Sequence, residues 1–297
     1  MNSNIPTHIP ILAVTPEGFS DFLQNSSKRQ ILARNPAETP GSFAIRQGAW
    51  SECVSEMADE SCGAVVDYAS GICIQPVHGF IAAGCDPEEE AFCECFDANR
   101  LSALATALSQ DTGVKSLVLH INSPGGAVSG LAENCQAIVA LQDARPDLAV
   151  FAYIEGIGCS AAARIAASCG ETHAGIGAMV GSISTILVAY DDSRMFANAG
   201  IDAKVFTDGK LKSAGYPGVP ITDDQAAHFD EMVKAFGSEF KAFMTERRPG
   251  LTEDDMQGQA FFAQAGKFPA ALLDGIGWPS FDDFVATVAT TLTHGQM

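Results

Sequence analysis

Positive charge is scarce in this 297-residue sequence. Seventeen Lys and Arg stand against 36 Asp and Glu, for a formal net charge of -19. Such a surface repels nucleic-acid phosphates and anionic lipid headgroups, so neither nucleic acid nor a membrane is expected as a partner. Long apolar runs are missing too. No window approaches the roughly 18 residues a spanning helix needs, and MNSNIPTHIPILAVTPEGF lacks the basic start and apolar run of an export signal. The expectation is a soluble protein of the cytoplasm. Metal-binding patterns are thin: Cys93 and Cys95, with Cys85 and His78 upstream, have no second pair at finger spacing. No metal and no cofactor is therefore expected. The nine cysteines are odd in number and scattered, which suits reduced thiols better than a disulfide framework.

What is present is enough apolar content, 47%, to bury a substantial core. Residues 1–65 carry Pro6, Pro10, Pro16, Pro36 and Pro40 and a polar stretch from Gln24 to Gly41, and read as an arm with one helix at Glu17 to Leu23. Residues 66–297 read as the main domain. Its pattern predicts a strand with a turn over Gly71 to Ala83, then an acidic loop over Asp86 to Phe96. From Asn99 helices and strands alternate. Helices are predicted at Arg100 to Leu108, Ala127 to Leu141, Ser160 to Ser168 and Met195 to Ala199, and strands at Ser116 to Ile121, Ala149 to Ile154, Met179 to Val188 and Lys204 to Thr207. Helices from Asp223 to Arg247 and Phe281 to Leu292 follow, with a helical turn at Thr252 to Asp255. This alternation predicts an α/β fold with a largely parallel core sheet.

Ser160 stands where a buried strand meets a helix built from small residues, Gly158-Cys-Ser-Ala-Ala-Ala-Arg164. A serine there can be an ordinary N-cap. It can also be a nucleophile, because a helix start offers free amides where an oxyanion could form. Three further segments bear on the choice. Ile121-Asn-Ser-Pro-Gly-Gly126 follows a core strand, and its glycines let the backbone approach a ligand. Met179-Val-Gly-Ser-Ile-Ser184 brings Ser182. Thr207-Asp-Gly-Lys-Leu-Lys-Ser213 brings Lys210 and Lys212 in a lysine-poor chain. A lysine buried beside a serine loses its proton more readily and can act as a base toward the hydroxyl.

In that order, these four segments resemble the signal peptide peptidase A (protease IV) family of serine peptidases, which includes phage head-maturation proteases. The resemblance covers about residues 71 to 280 and implies a Clp/crotonase-like fold of repeated ββα units. Lys212 follows Ser160 by 52 residues, the interval the resemblance implies between nucleophile and base. By the same resemblance Ser182 orients the lysine, and the amides of Gly125, Gly126 and Ala161 form the oxyanion hole. The implied function is a Ser-Lys endopeptidase of phage or prophage heads, cleaving scaffold and capsid proteins in the host cytoplasm or within a prohead. A homo-oligomer is implied, with the dyad completed within one copy or across two. Alternatives are a cytoplasmic peptide-degrading relative and a catalytically inactive capsid-assembly component.

Ala161-Ala-Ala-Arg164 replaces the glycines and aromatics that many relatives carry after the nucleophile. Cys159 is a rival nucleophile without an evident thiolate-stabilising partner. A Ser-His-Asp enzyme of the Clp type would need a histidine in Val180 to Leu187, where there is none; His173 falls in what reads as a short connecting segment. An α/β-hydrolase would need a full G-x-S-x-G, and Gly158-Cys-Ser-Ala-Ala162 supplies only half.

Overall fold

The computed structural model describes residues 12–14, 46–47, 63–85 and 95–293. Among these the strands are β1 (Leu12–Val14), β2 (Arg46–Gln47), β3 (Val65–Asp67), β4 (Ile72–Ala82), β5 (Cys95–Asp97) and β6 (Ser116–Ala127). They continue with β7 (Ala149–Cys159), β8 (Glu171–Gly175), β9 (Met179–Gly181), β10 (Ala260–Phe262) and β11 (Gly275–Trp278). The helices are α1 (Asn99–Gln110), α2 (Leu131–Ala144), α3 (Ala161–Ala167), α4 (Ser193–Asn198), α5 (Asp223–Arg247) and α6 (Phe281–Thr293).

The three longest strands, β4, β6 and β7, lie side by side and parallel at the centre of one sheet, with Ile74 opposite Val118 and Val118 opposite Phe151. Both faces are covered, which is why these strands read as nearly continuous apolar runs. Leu117, Leu119 and Ile121 point to the face that holds Leu104, Ile138 and Ile165 of α1, α2 and α3. Ile72, Ile74, Val118 and Tyr153 meet Phe281, Phe284 and Val288 of α6 on the other. The expected mixed α/β fold with a largely parallel sheet is thus observed.

Several local expectations change. The Ile121 to Gly126 segment is an irregular continuation of β6 rather than a turn, because β4 follows it as far as Ile81 opposite Gly126. Likewise β4 is continuous through Gly79, whose φ of 75° absorbs a register shift between His78 and Phe80. Lys204 to Thr207 forms no strand, and the extended run after Met179 leaves the sheet at Gly181. His173 lies within β8, packed against Phe151, Trp278 and Phe284, and its Nε2 pairs with Glu171. Cys85 and Cys95 are joined in a disulfide, against the expectation of reduced thiols, while Cys73, Cys135, Cys159 and Cys169 are buried thiols. The helix expected at Glu17 to Leu23 and the loop residues 86–94 lie outside the described residues.

His120 of β6 is buried under α6, stacked on Phe281 at 3.9 Å between ring centroids and edge-on to His78 at 4.9 Å. Burial, reinforced by His78, pushes its pKa down to about 3. The Glu155 carboxylate reaches its Nε2 at 2.9 Å, but it is half in solvent and does not offset that desolvation. The unfolded chain therefore binds a proton near pH 6.5 that the folded chain refuses until about pH 3. Stability from this group is complete above pH 6.5 and is lost as pH falls toward 3, on the order of 3 kcal/mol by pH 4. Thermal unfolding followed between pH 7 and 4 should show this loss in the wild type and a clearly smaller one in His120→Gln. Equal losses in the two proteins would remove His120 as the cause.

Candidate active site

At its C-terminal end β7 reads Glu155-Gly-Ile-Gly-Cys159 and changes neighbours. Up to Ile154 it pairs with β8, and from Ile157 to Cys159 with β9, which places Cys159 opposite Gly181. The next amide, that of Ser160, donates to the Gly181 carbonyl at 2.7 Å, so Ser160 is held to the sheet on the residue where α3 must begin. Its backbone meets both demands only at φ 58° and ψ -117°, a region that disfavours side chains. Ser182, on the far side of Gly181, has φ 52° and donates its amide to the Gln259 carbonyl at 2.7 Å. Among the described residues these two serines are the only non-glycines with positive φ.

The Ser160 carbonyl accepts from the Arg164 amide at 3.1 Å and opens α3, yet its side chain makes no capping hydrogen bond. The ordinary N-cap reading therefore fails for this hydroxyl. The residue is 1% exposed. Cys159 turns the other way, buried, with its thiol 3.8 Å from the Met179 carbonyl. Behind Ser160 the whole of α3 is buried. Its alanines allow close approach to the sheet, and Arg164 forms a forked ion pair with Glu239 of α5 while lying over the Phe243 ring at 4.5 Å. Arg247, at the end of α5, donates to the Ala167, Ser168 and Cys169 carbonyls at the C-terminus of α3.

The glycine segment sits across from this corner. Ser123 of β6 is in register with Gly158, two residues before Ser160. The Ser123 hydroxyl donates to the Gly79 carbonyl at 2.6 Å and accepts from the Gly125 amide at 3.1 Å. Asn122 accepts from the Ile157 amide at 3.1 Å. Gly125 has φ 112°, and a Cβ on Gly126 would lie 1.8 Å from the Ile81 carbonyl oxygen, so that position admits only glycine. Ser160, Ser182 and the glycine segment are thus gathered at the ends of β6, β7 and β9.

No hydrogen bond joins Lys210 or Lys212 to these residues. Lys210 pairs with Asp224 at 2.8 Å, and this hydrogen bond raises its pKa. Lys212 is exposed, its side chain forming no hydrogen bond or ion pair among the described residues. The segment that carries it also exposes Tyr190, Met195, Ile201, Tyr216 and Phe206, the last at 91%.

Among the described residues there is no group of three or more His, Cys, Asp or Glu that could hold a metal, and no helix long and apolar enough to cross a membrane. The sequence profile described as peptidase family S49 matches residues 142–291, from the end of α2 to α6. The chain belongs to peptidase family S49. A candidate protease of Methanocaldococcus jannaschii, MJ0651, is 27% identical over 152 residues, 51% of this chain and 48% of that protein. The head-tail preconnector protein GP5 of Enterobacteria phage P21 is 25% identical over 188 residues, 61% of this chain and 36% of that protein. This chain thus spans about half, or less, of the curated relatives it matches. Looser overlaps with solved structures include an enoyl-CoA hydratase of Mycobacterium smegmatis (TM-score 0.47, 14% identity, 78% of this chain and 76% of that one). Another is the 1510-N membrane-bound stomatin-specific protease in complex with a substrate peptide (TM-score 0.33, 13% identity, 64% and 72%).

In this S49 chain sequence reasoning overlooked the braces: Ser123, Asn122, Arg164 with Glu239, and Arg247. Polar residues inside an apolar pattern, such as the Arg in Ala161-Ala-Ala-Arg164, were the available hint, since a buried arginine requires a partner.

The strained serine yields a stability prediction. Glycine tolerates the Ser160 backbone angles, so Ser160→Gly should relieve strain of about 1–3 kcal/mol, less the about 0.5–1 kcal/mol that glycine adds to unfolded-chain entropy. Ser160→Gly should therefore melt above Ser160→Ala in thermal denaturation. A Ser160→Gly protein no more stable than Ser160→Ala would show that the backbone there is relaxed.

Proposed function

We propose that this S49 chain is a serine endopeptidase in which Ser160 is the nucleophile and Lys212 the general base. The observation that carries the reading is Ser160 itself: buried, held at a positive φ by the Gly181 carbonyl, with its hydroxyl not used for capping. Strain of this kind at a strand-to-helix junction presents a nucleophile.

Neutral Lys212 takes the Ser160 proton and the hydroxyl oxygen attacks the scissile carbonyl. The Gly126 and Ala161 amides hold the oxyanion; the Gly125 amide is already committed to Ser123 and is the weaker donor of the three. The lysine ammonium protonates the leaving amine, and water then cleaves the acyl ester, its proton passing through the same lysine to Ser160. Ser182 orients the lysine. Between the two lysines, the hydrogen bond to Asp224 favours the charged form of Lys210, which supports Lys212 as the base.

A base must be desolvated as well as near. Exposed Lys212 acquires that environment when a second copy of the chain covers the apolar side chains of its segment, so the active species is a homo-oligomer. The similarity to a phage head protein supports scaffold and capsid proteins as substrates, cleaved during head maturation in the host cytoplasm or prohead.

Co-expression with neighbouring phage structural proteins, with products read by mass spectrometry, should give cleavage by the wild type. Ser160→Ala and Lys212→Ala should each lose about 10³-fold or more, and Lys210→Ala should stay within about threefold because it removes only a surface ion pair. The rate should climb from pH 6 to pH 9 as the base sheds its proton. Appreciable cleavage by either of the first two variants, or a level pH profile, would exclude this mechanism.

A further inference from the structure

The edges of β6 are unequally used. One is covered by β4 along nearly its whole length, from Ile72 opposite Ser116 to Ile81 opposite Gly126. The other is covered by β7, but only from Ser116 to Ser123, because β7 ends at Cys159 and the chain turns into α3. Residues 125–127 would present an open edge on the side facing the end of β7, where Ser160 follows. That edge is filled by the chain's own β1, antiparallel, with Leu12 opposite Ala127, Ala13 opposite Gly126 and Val14 opposite Gly125.

The local sequence suits an extended strand. Pro10-Ile-Leu-Ala-Val-Thr-Pro16 sets four apolar residues between two prolines, and the residue before each proline is steered away from helix. The pairing partners are the glycines proposed above to face the reacting carbonyl. A substrate binding by strand addition would use this same backbone edge.

We propose that Leu12–Val14 is a resident occupant of the peptide groove: an internal strand that an incoming substrate must displace before reaching Ser160. The proposal rests on the peptidase reading, and it narrows the substrate to an extended apolar segment resembling Ile11-Leu-Ala-Val14. The tether keeps the occupant at high local concentration, so the groove is free only part of the time. Apparent substrate affinity falls by that fraction while turnover of bound substrate is unchanged. The device acts on KM and leaves kcat alone.

Ala13→Pro in the full-length chain removes an amide donor from the middle of β1 and should free the edge. With a fluorogenic peptide containing Ile-Leu-Ala-Val, KM should fall several-fold relative to wild type with kcat within about twofold. Hydrogen exchange, run in a Ser160→Ala background so that no cleavage intervenes, should show faster exchange over Gly125 to Ala127 when Ala13→Pro is added. Unchanged exchange there, or an unchanged KM in active protein, overturns the proposal. Faster exchange together with no peptide cleavage by any protein overturns the peptidase reading and leaves the strand's occupancy standing.

Discussion

A single backbone hydrogen bond, from the Ser160 amide to the Gly181 carbonyl, governs the geometry of the corner where β7 meets α3. It keeps β7 attached to β9 for one residue longer than the start of α3 can comfortably accommodate. The cost appears as a left-handed φ at Ser160, and the same carbonyl-bearing strand turns away through a second left-handed serine, Ser182. With its backbone at φ 58° and ψ -117°, away from the extended conformation of an ordinary N-cap, the Ser160 hydroxyl makes no capping hydrogen bond. Such strain persists only where surrounding structure over-determines it.

That surrounding structure is unusually polar for a core. Arg164 and Glu239 bind α3 to α5, Arg247 closes the C-terminal carbonyls of α3, and Arg248 bonds to Asp274 at 2.6 Å while its other nitrogen meets Thr172. The guanidinium groups of Arg164 and Arg248 are buried while Glu239 and Asp274 stay partly in solvent, so losing either carboxylate would leave a buried charge without its partner, and these contacts hold α3 in one place. On the other wall Ser123 and Asn122 tie the glycine segment to β4 and β7. The corner around Ser160 is thus clamped from both sides, while the segment bearing Lys212 leaves its apolar side chains in solvent. A firmly held Ser160 and an exposed Lys212 are what the proposed oligomeric enzyme requires of a single copy.

Much of this was legible in the sequence. The central strands were readable because burial on both faces makes them nearly unbroken apolar runs, and α5 because Thr222 and the acidic residues after it mark its start, where Thr222 and Gln225 form a capping box. Ser160 stood out because a strand pattern and a small-residue helix meet there. Its positive φ was not readable, since it follows from the register of β7 against β9, a long-range pairing invisible in local sequence. For the same reason Ile121 to Gly126 read as a turn: proline and glycines usually end a strand, and here β4 continues it. Lys204 to Thr207 read as a strand because its apolar residues look like core, whereas Val205 and Phe206 are exposed. Composition could not tell an inward-facing apolar residue from one left in solvent.

The account stands on the Ser160 hydroxyl being the group that attacks a peptide carbonyl. The most direct measurement is peptide mapping by mass spectrometry after prolonged incubation of the full-length protein at mildly alkaline pH with a peptidyl phosphonate ester that mimics an apolar substrate. The account predicts one covalent phosphonate per chain, on Ser160. A phosphonate on Cys159 or another residue, or an unmodified Ser160 in protein that is cleaving peptide, would contradict it.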